Sequence, residues 1–246
     1  MELEYYLITA IILILAYVIR GITGFGSGLI AIPLLALFQP LTFVVPFILL
    51  LDFTASLVLG GLSLKQVKWR EIFWLIPFSL IGVVVGTKLL IEMPAAPMLI
   101  ALSLFIFVFA IRSLLKLKDE KNISQKWAIP TALIGGSIAG SFGTGGPPYV
   151  IYLTHRIHDK GQLRATLSAL FFMEGLLRII SFFVIGLLLS QFIWWTALMA
   201  LPVMLLSLYA GSRIHVGLTQ PQMTQFIGIL LLLASITLLV KAIFYT

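Results

Sequence analysis

Two stretches of this 246-residue chain hold most of what could do chemistry. The first is Gly21-Ile22-Thr23-Gly24-Phe25-Gly26-Ser27-Gly28, and the second is Gly140-Ser141-Phe142-Gly143-Thr144-Gly145-Gly146-Pro147-Pro148. Glycine permits positive φ and close backbone approach. Proline opens a helix where its missing N–H would have had no partner anyway. Each stretch therefore reads as a break followed by a new helix, beginning near Ser27 and near Pro148. Such an N-terminus carries about half a positive charge and free N–H donors, which suits an anion. Ser27 and Thr144 add hydroxyls, and Phe25, Phe142, Tyr149 and the backbone of Gly24, Gly26, Gly28, Gly143, Gly145 and Gly146 would line the two ends. The plainer reading is small-residue helix packing of the G-x-x-x-G kind. Two clusters in equivalent positions favour a site. No G-K-[ST] ending or preceding soluble strand makes either stretch a nucleotide loop.

Four ionisable residues sit deep in apolar sequence. Arg20 immediately precedes the first break. An arginine there is costly and points to function, either bidentate contact with an anion or pairing with Asp52 or Glu174. Arg178 lies one turn after Glu174, so the two share a helix face and could be a structural ion pair or part of the substrate site. A carboxylate in low dielectric can load a proton near neutral pH. Asp52, with no cation one turn away on its own helix, is the stronger proton-coupling candidate, and Glu174 is the second. His155, His158 and His215 fall in or beside basic loops and read as surface residues. No metal-ligand spacing, cofactor motif, cysteine or nucleophile–base pair is present, so neither a metal centre nor an enzyme is expected.

The frame around these residues is lipid-soluble. The chain is 61% hydrophobic and 10% charged, against about half and a quarter in soluble domains. Its net charge of +7 does not indicate nucleic acid, because the basic residues cluster between apolar spans, as topology signals do. Trp69, Trp74, Trp194 and Trp195 fit interfacial belts. The acidic start, Met1-Glu2-Leu3-Glu4, is not that of a signal peptide.

A spanning helix needs roughly 20 apolar residues. Segments 41–62, 71–92, 95–117, 165–189, 191–213 and 221–245 meet that length. Segments 5–38 and 127–155 are too long for one span and too short for two, and each contains a glycine break. Basic clusters flank 127–155 on both sides, so it is predicted to enter the membrane and return. Segment 5–38, without basic flanks, is predicted to do so from the opposite face. The expected fold is an all-α polytopic membrane protein of two inverted repeats, each a re-entrant hairpin plus three spans. Residues 1–118 form the first and 122–246 the second, within one membrane domain and with both termini extracytoplasmic. Pro77, Gly86 and Lys88 recur 125 residues on as Pro202, Gly211 and Arg213; Gly21, Gly24 and Gly26 recur 119 on as Gly140, Gly143 and Gly145; Asp52 recurs 122 on as Glu174. Inverted repeats with matching broken helices mark secondary transporters.

The paired motifs GITGFGSGLIAIP (Gly21–Pro33) and GGSIAGSFGTGGPP (Gly135–Pro148), with the overall size and layout, resemble the TauE/SafE sulfite exporter family over nearly the whole chain. The resemblance implies a prokaryotic inner-membrane carrier of sulfite or organosulfonates of the sulfoacetate or isethionate type, coupled to protons. The residues themselves indicate an anion site in a transporter-like frame, with an anion channel as the alternative. The expected partners are a small anion, protons and the bilayer. The sequence leaves the oligomeric state open and admits a homo-oligomer.

Overall fold

The computed structural model describes residues 2–24, 26–59, 64–115, 123–213 and 220–244. These form ten α-helices: α1 (Glu2–Thr23), α2 (Ser27–Leu35), α3 (Leu41–Leu59), α4 (Trp69–Glu92), α5 (Ala95–Leu114), α6 (Ala128–Phe142), α7 (Gly146–Thr154), α8 (Lys160–Ile185), α9 (Gln191–Arg213) and α10 (Gln220–Phe244). No strand occurs among the described residues. Among the described residues, six helices are long and apolar enough to cross a membrane, within α1, α3, α4, α5, α8 and α9. Large apolar side chains stand exposed along them, among them Val184 at 81% and Met199 at 74%. Such faces suit acyl chains and would be unusual in water. The chain is a polytopic helical membrane protein.

The element boundaries depart from the sequence reading in three places. First, α1 runs 22 residues before its break. The α1–α2 segment is thus a full-length arm joined to a nine-residue arm, because the glycines that end α1 come late. Second, α8 begins at Lys160 rather than 165, since Asp159 caps it by accepting from the Gln162 N–H at 2.8 Å. Third, α8 stops at Ile185 rather than 189, where Gly186 turns left-handed at φ 93°.

The helices sort into two compact units that interleave the halves of the sequence. The first holds residues 1–51, 93–117 and 192–246. In it α10 packs on α5 and α2, and α2 on α1. Gly21 of α1 lies against the backbone of α9, so a Cβ there would strike the Leu208 carbonyl and the Ser212 N–H. Gly211 of α9 lies equally close to the Val18 carbonyl.

The second unit holds residues 52–92 and 118–191. Here α4 packs on α6 and α8, and α7 packs on α6 and α8. The α4–α6 crossing is built of glycines from both helices. Gly82 meets Leu133 and Ser137, Gly86 meets the Ser137 carbonyl, Gly136 meets the Ser79 carbonyl, and Gly140 meets Val83 and Thr87. Lipid offers no hydrophobic force between helices, so this close approach, with its van der Waals contact, holds the unit together. The core beside it contains Ile72, Leu75, Ala132, Tyr149, Tyr152 and Leu170. Some buried hydroxyls return to their own helix: Thr87 Oγ1 donates to the Val83 carbonyl at 2.7 Å, as expected where water is absent.

Candidate functional site

At the first break α1 ends with the Gly24 N–H on the Arg20 carbonyl at 2.7 Å. Gly24 and Gly26 hold φ of 87° and 95°, a region L side chains avoid. A Cβ at Gly26 would meet nothing within 4 Å, so that glycine is required by conformation and not by space. Across the break Ser27 comes within hydrogen-bonding reach of Arg20 in the last turn of α1. Arg20 Nη1 donates to Ser27 Oγ at 2.8 Å, with both residues buried. A buried cation, a hydroxyl and the N-terminus of α2 thus share one place, and all three attract an anion. Gly28 is buried inside α2. Phe25 lies outside the described residues. At the far end of α2, Lys241 Nζ donates to the carbonyls of Ala36 at 2.9 Å and Leu37 at 3.1 Å, compensating the negative helix end.

The second break closes in the same way, with the Gly143 N–H on the Ala139 carbonyl at 2.9 Å and Gly143 at φ 69°. Gly145 has an ordinary φ of −66° and is required by space instead: a Cβ would strike Ala139 and the Gly135 carbonyl. Helix α7 begins at Gly146, earlier than the expected Pro148, with Pro147 and Pro148 in its first turn. Those prolines remove two N–H donors from this helix end. Thr144 Oγ1 is buried, with no hydrogen-bond partner among the described residues. Phe142 is buried beside it in sequence, and Gly146 faces the Phe171 ring.

Behind α7 is a polar cluster that the sequence reading only partly saw. Glu174 of α8 is buried and accepts from Ser79 Oγ at 3.3 Å. Ser79 Oγ in turn accepts from Tyr149 Oη at 2.8 Å. No hydrogen bond joins Glu174 to Arg178 among the described residues, although the two remain coupled by charge. Arg178 lies over the Phe182 ring at 5.7 Å, and its Nε and Nη2 have no hydrogen-bond partner among the described residues. Asp52 is only half-buried, so Glu174 is the more deeply enclosed carboxylate.

A second buried carboxylate was missed. Glu71, in the first turn of α4, accepts from Tyr152 Oη at 2.6 Å and from Arg156 Nη2 at 2.7 Å. Arg156 Nη1 also donates to the Ile123 carbonyl at 3.1 Å. This network pins the end of α7 to the start of α4, and the hydrogen bonds that Arg156 donates to Glu71 raise the Arg156 pKa above its ordinary value. An acidic residue in a helix's first turn among lysines and arginines looks like a solvated dipole partner, so its sequence gave no sign of burial. His155 is half-buried rather than a surface residue, its Nδ1 2.6 Å from the Ile151 carbonyl; His215 lies outside the described residues. No metal-binding group of three or more occurs among the described residues.

The predicted site residues therefore fall into two sets, Arg20 with Gly24–Gly28 in the first unit and Phe142–Tyr149 with Asp52, Glu174 and Arg178 in the second.

Comparison with known proteins agrees with the helical frame. The sulfite exporter TauE/SafE family profile matches residues 9–238. A protein of Comamonas testosteroni described as "Probable inner membrane transporter protein TsaS" is 26% identical over 195 residues, covering 78% of this chain and 80% of its own. No solved structure matches the chain. With a family match across nearly its whole length, the chain belongs to the TauE/SafE sulfite exporter family of membrane transporters.

Proposed function

We propose that this chain is a secondary transporter of small anions of the sulfite or organosulfonate class, working across the inner membrane by alternating access and driven by protons. The observation that carries this reading is the first break, where buried Arg20 is bonded to Ser27 at the mouth of α2. A sulfonate or sulfite places three oxygens on one centre, and such a group fits a forked guanidinium together with helix N–H donors. Glu174, enclosed by Ser79 and Tyr149, is the proton carrier of this scheme, ahead of the less buried Asp52. Family membership supports the sulfur-containing substrate class, and the relative's description supports the inner membrane. Both termini lie outside the cytoplasm in this scheme, and a reporter fused after Thr246 reads extracytoplasmic if the odd number of spans per half is correct.

The test is uptake of radiolabelled sulfite or sulfoacetate into proteoliposomes. Wild-type uptake saturates, and Arg20→Ala lowers it about 10- to 100-fold, the loss of one charge-assisted contact. Unchanged uptake in Arg20→Ala rules out its anion role. A channel remains the competing reading, since broken hairpins also build pores. Large currents that do not saturate with substrate favour it. Thermal shift over sulfite, sulfate, thiosulfate, sulfoacetate, isethionate and small carboxylates identifies the ligand, which raises apparent stability by mass action.

A further inference from the structure

The hydroxyls around Glu174 form a chain with a defined end. Ser79 Oγ donates to Glu174 Oε1 at 3.3 Å, Tyr149 Oη donates to Ser79 Oγ at 2.8 Å, and Tyr149 Oη also lies 3.4 Å from the Ala132 carbonyl. Four helices contribute: α8 gives Glu174, α4 gives Ser79, α7 gives Tyr149 and α6 gives the Ala132 carbonyl. Ser79 and Tyr149 are fully enclosed at 0% exposure and Glu174 nearly so at 4%, so each hydrogen must find its acceptor within the cluster. The glycines of α6 permit the geometry. A Cβ at Gly135 would come within 2.7 Å of Tyr149 Cζ, and one at Gly136 would strike the Ser79 backbone.

We infer that Ser79 and Tyr149 are positioning residues for a coupling proton on Glu174, and that protonation of Glu174 reverses the whole hydrogen-bond chain. This rests on the proton-driven reading above. With Glu174 ionised, hydrogens point from Tyr149 to Ser79 to Glu174. When one proton from water is added to the carboxylate, Glu174 becomes a donor to Ser79 Oγ. The Ser79 hydrogen turns to Tyr149 Oη, and the Tyr149 hydrogen turns wholly to the Ala132 carbonyl, whose second lone pair is available. No other covalent bond changes. The outcome is mechanical as well as electrical. The Tyr149–Ser79 bond between α7 and α4 persists with its direction reversed, and the freed Tyr149 hydrogen strengthens a link between the two arms of the α6–α7 hairpin. The other titratable group acting on Glu174 from its surroundings is Arg178, one turn along α8, which is itself acted on by Asp52.

Infrared difference spectroscopy on the full-length protein in detergent tests this without a substrate. The protonated carboxyl stretch is followed through a pH titration, and Glu174→Gln assigns it by deleting it. Ser79→Ala removes a donor to the carboxylate, so the midpoint moves to higher pH by about one unit or more. Tyr149→Phe moves it the same way by less and also shifts the band's frequency. Absence of an assignable band in the wild type, or a midpoint and frequency unchanged in both variants, overturns the relay. Proteoliposome uptake is scored separately. Should the wild type carry no sulfite or organosulfonate while the Ser79→Ala midpoint moves, the transport reading fails and the relay stands. Should it carry substrate while the midpoint stays fixed, only the relay fails.

Discussion

At the α1–α2 break two glycines hold positive φ, and the helix that follows keeps every N–H of its first turn. At the α6–α7 break only Gly143 does so, and Pro147 and Pro148 remove two donors. Both long arms close with the same bond, Gly24 N–H to Arg20 and Gly143 N–H to Ala139, at positions 119 residues apart. The glycine crossings match as well. Gly140 faces Val83 and Thr87, and Gly21 faces Leu208 and Ser212, which lie 125 residues beyond those partners. Around this shared backbone the side chains differ sharply. Arg20 and Ser27 correspond by the same offset to Ala139 and Gly146, while Tyr149 and Ser79 correspond to Ile30 and Met204. The first hairpin carries the buried cation and Ser27, whereas the second brings Tyr149 against Ser79 of α4, which bonds Glu174 of α8. The proposed scheme uses this difference by placing the anion at the first break and the coupling proton on Glu174 beside the second.

The largest effect should come from exchanging the chemistry between the hairpins. Arg20→Ala is expected to remove anion binding, seen as the loss of any thermal shift with sulfite or sulfonate at concentrations that stabilise the wild type. Ala139→Arg combined with Arg20→Ala should not restore it, because the second break lacks the Ser27 hydroxyl and the full set of N–H donors. Restored binding would show the breaks to be interchangeable and erase the distinction.

Glycine substitutions give the next effect and sharpen why each glycine is present. Gly145→Asn meets the Gly135 carbonyl and should cost about 1–3 kcal/mol of stability, the usual penalty of overpacking. Gly26→Asn has room and only a φ to satisfy, which asparagine tolerates, so it should lose no more than about 1 kcal/mol. Denaturant melts in detergent distinguish them, and equal losses would mean that both breaks are set by packing. Gly135→Ala presses on the Tyr149 ring and should change the pH profile of uptake more than Ala16→Ser, its counterpart 119 residues earlier, where Ile30 takes the sequence place of Tyr149.

Removal of the end contacts should have the smallest effect. Lys241→Met leaves the α2 carbonyls without their cation, a loss of about 0.3–1 kcal/mol, read as a lowered midpoint of thermal unfolding. Glu71→Gln keeps the shape but weakens the bonds to Tyr152 and Arg156, and should loosen α7. Faster amide exchange in residues 146–154 than in 27–35 would show it.

Much of the frame was legible in the sequence, for physical reasons. Lipid forbids unsatisfied backbone, so glycine and proline in segments of abnormal length had to mark breaks, and an arginine beside one of them had to be held by something specific. The sequence reading gave one hairpin over 5–38 without dividing it, and the position of the glycines makes its first arm 22 residues long. Asp159 looked like part of a basic loop, so the helix it caps began later on paper than in space. Ser79 and Glu71 were not legible. A serine in an apolar helix ordinarily bonds its own backbone, and the partners of these two lie 95, 70 and 81 residues away. The preference for Asp52 over Glu174 rested on neighbours along one helix, whereas enclosure by α4 and α7 decides which carboxylate is shielded.

Accumulation and counterflow, measured side by side in proteoliposomes, test the division of labour between the hairpins most directly. In a carrier built this way, Arg20→Ala loses both inward accumulation driven by a pH gradient and exchange of labelled for unlabelled anion. Glu174→Gln keeps the exchange and loses the accumulation. Accumulation surviving in Glu174→Gln, or exchange surviving in Arg20→Ala, would contradict the assignment of the proton to Glu174 and the anion to the first hairpin.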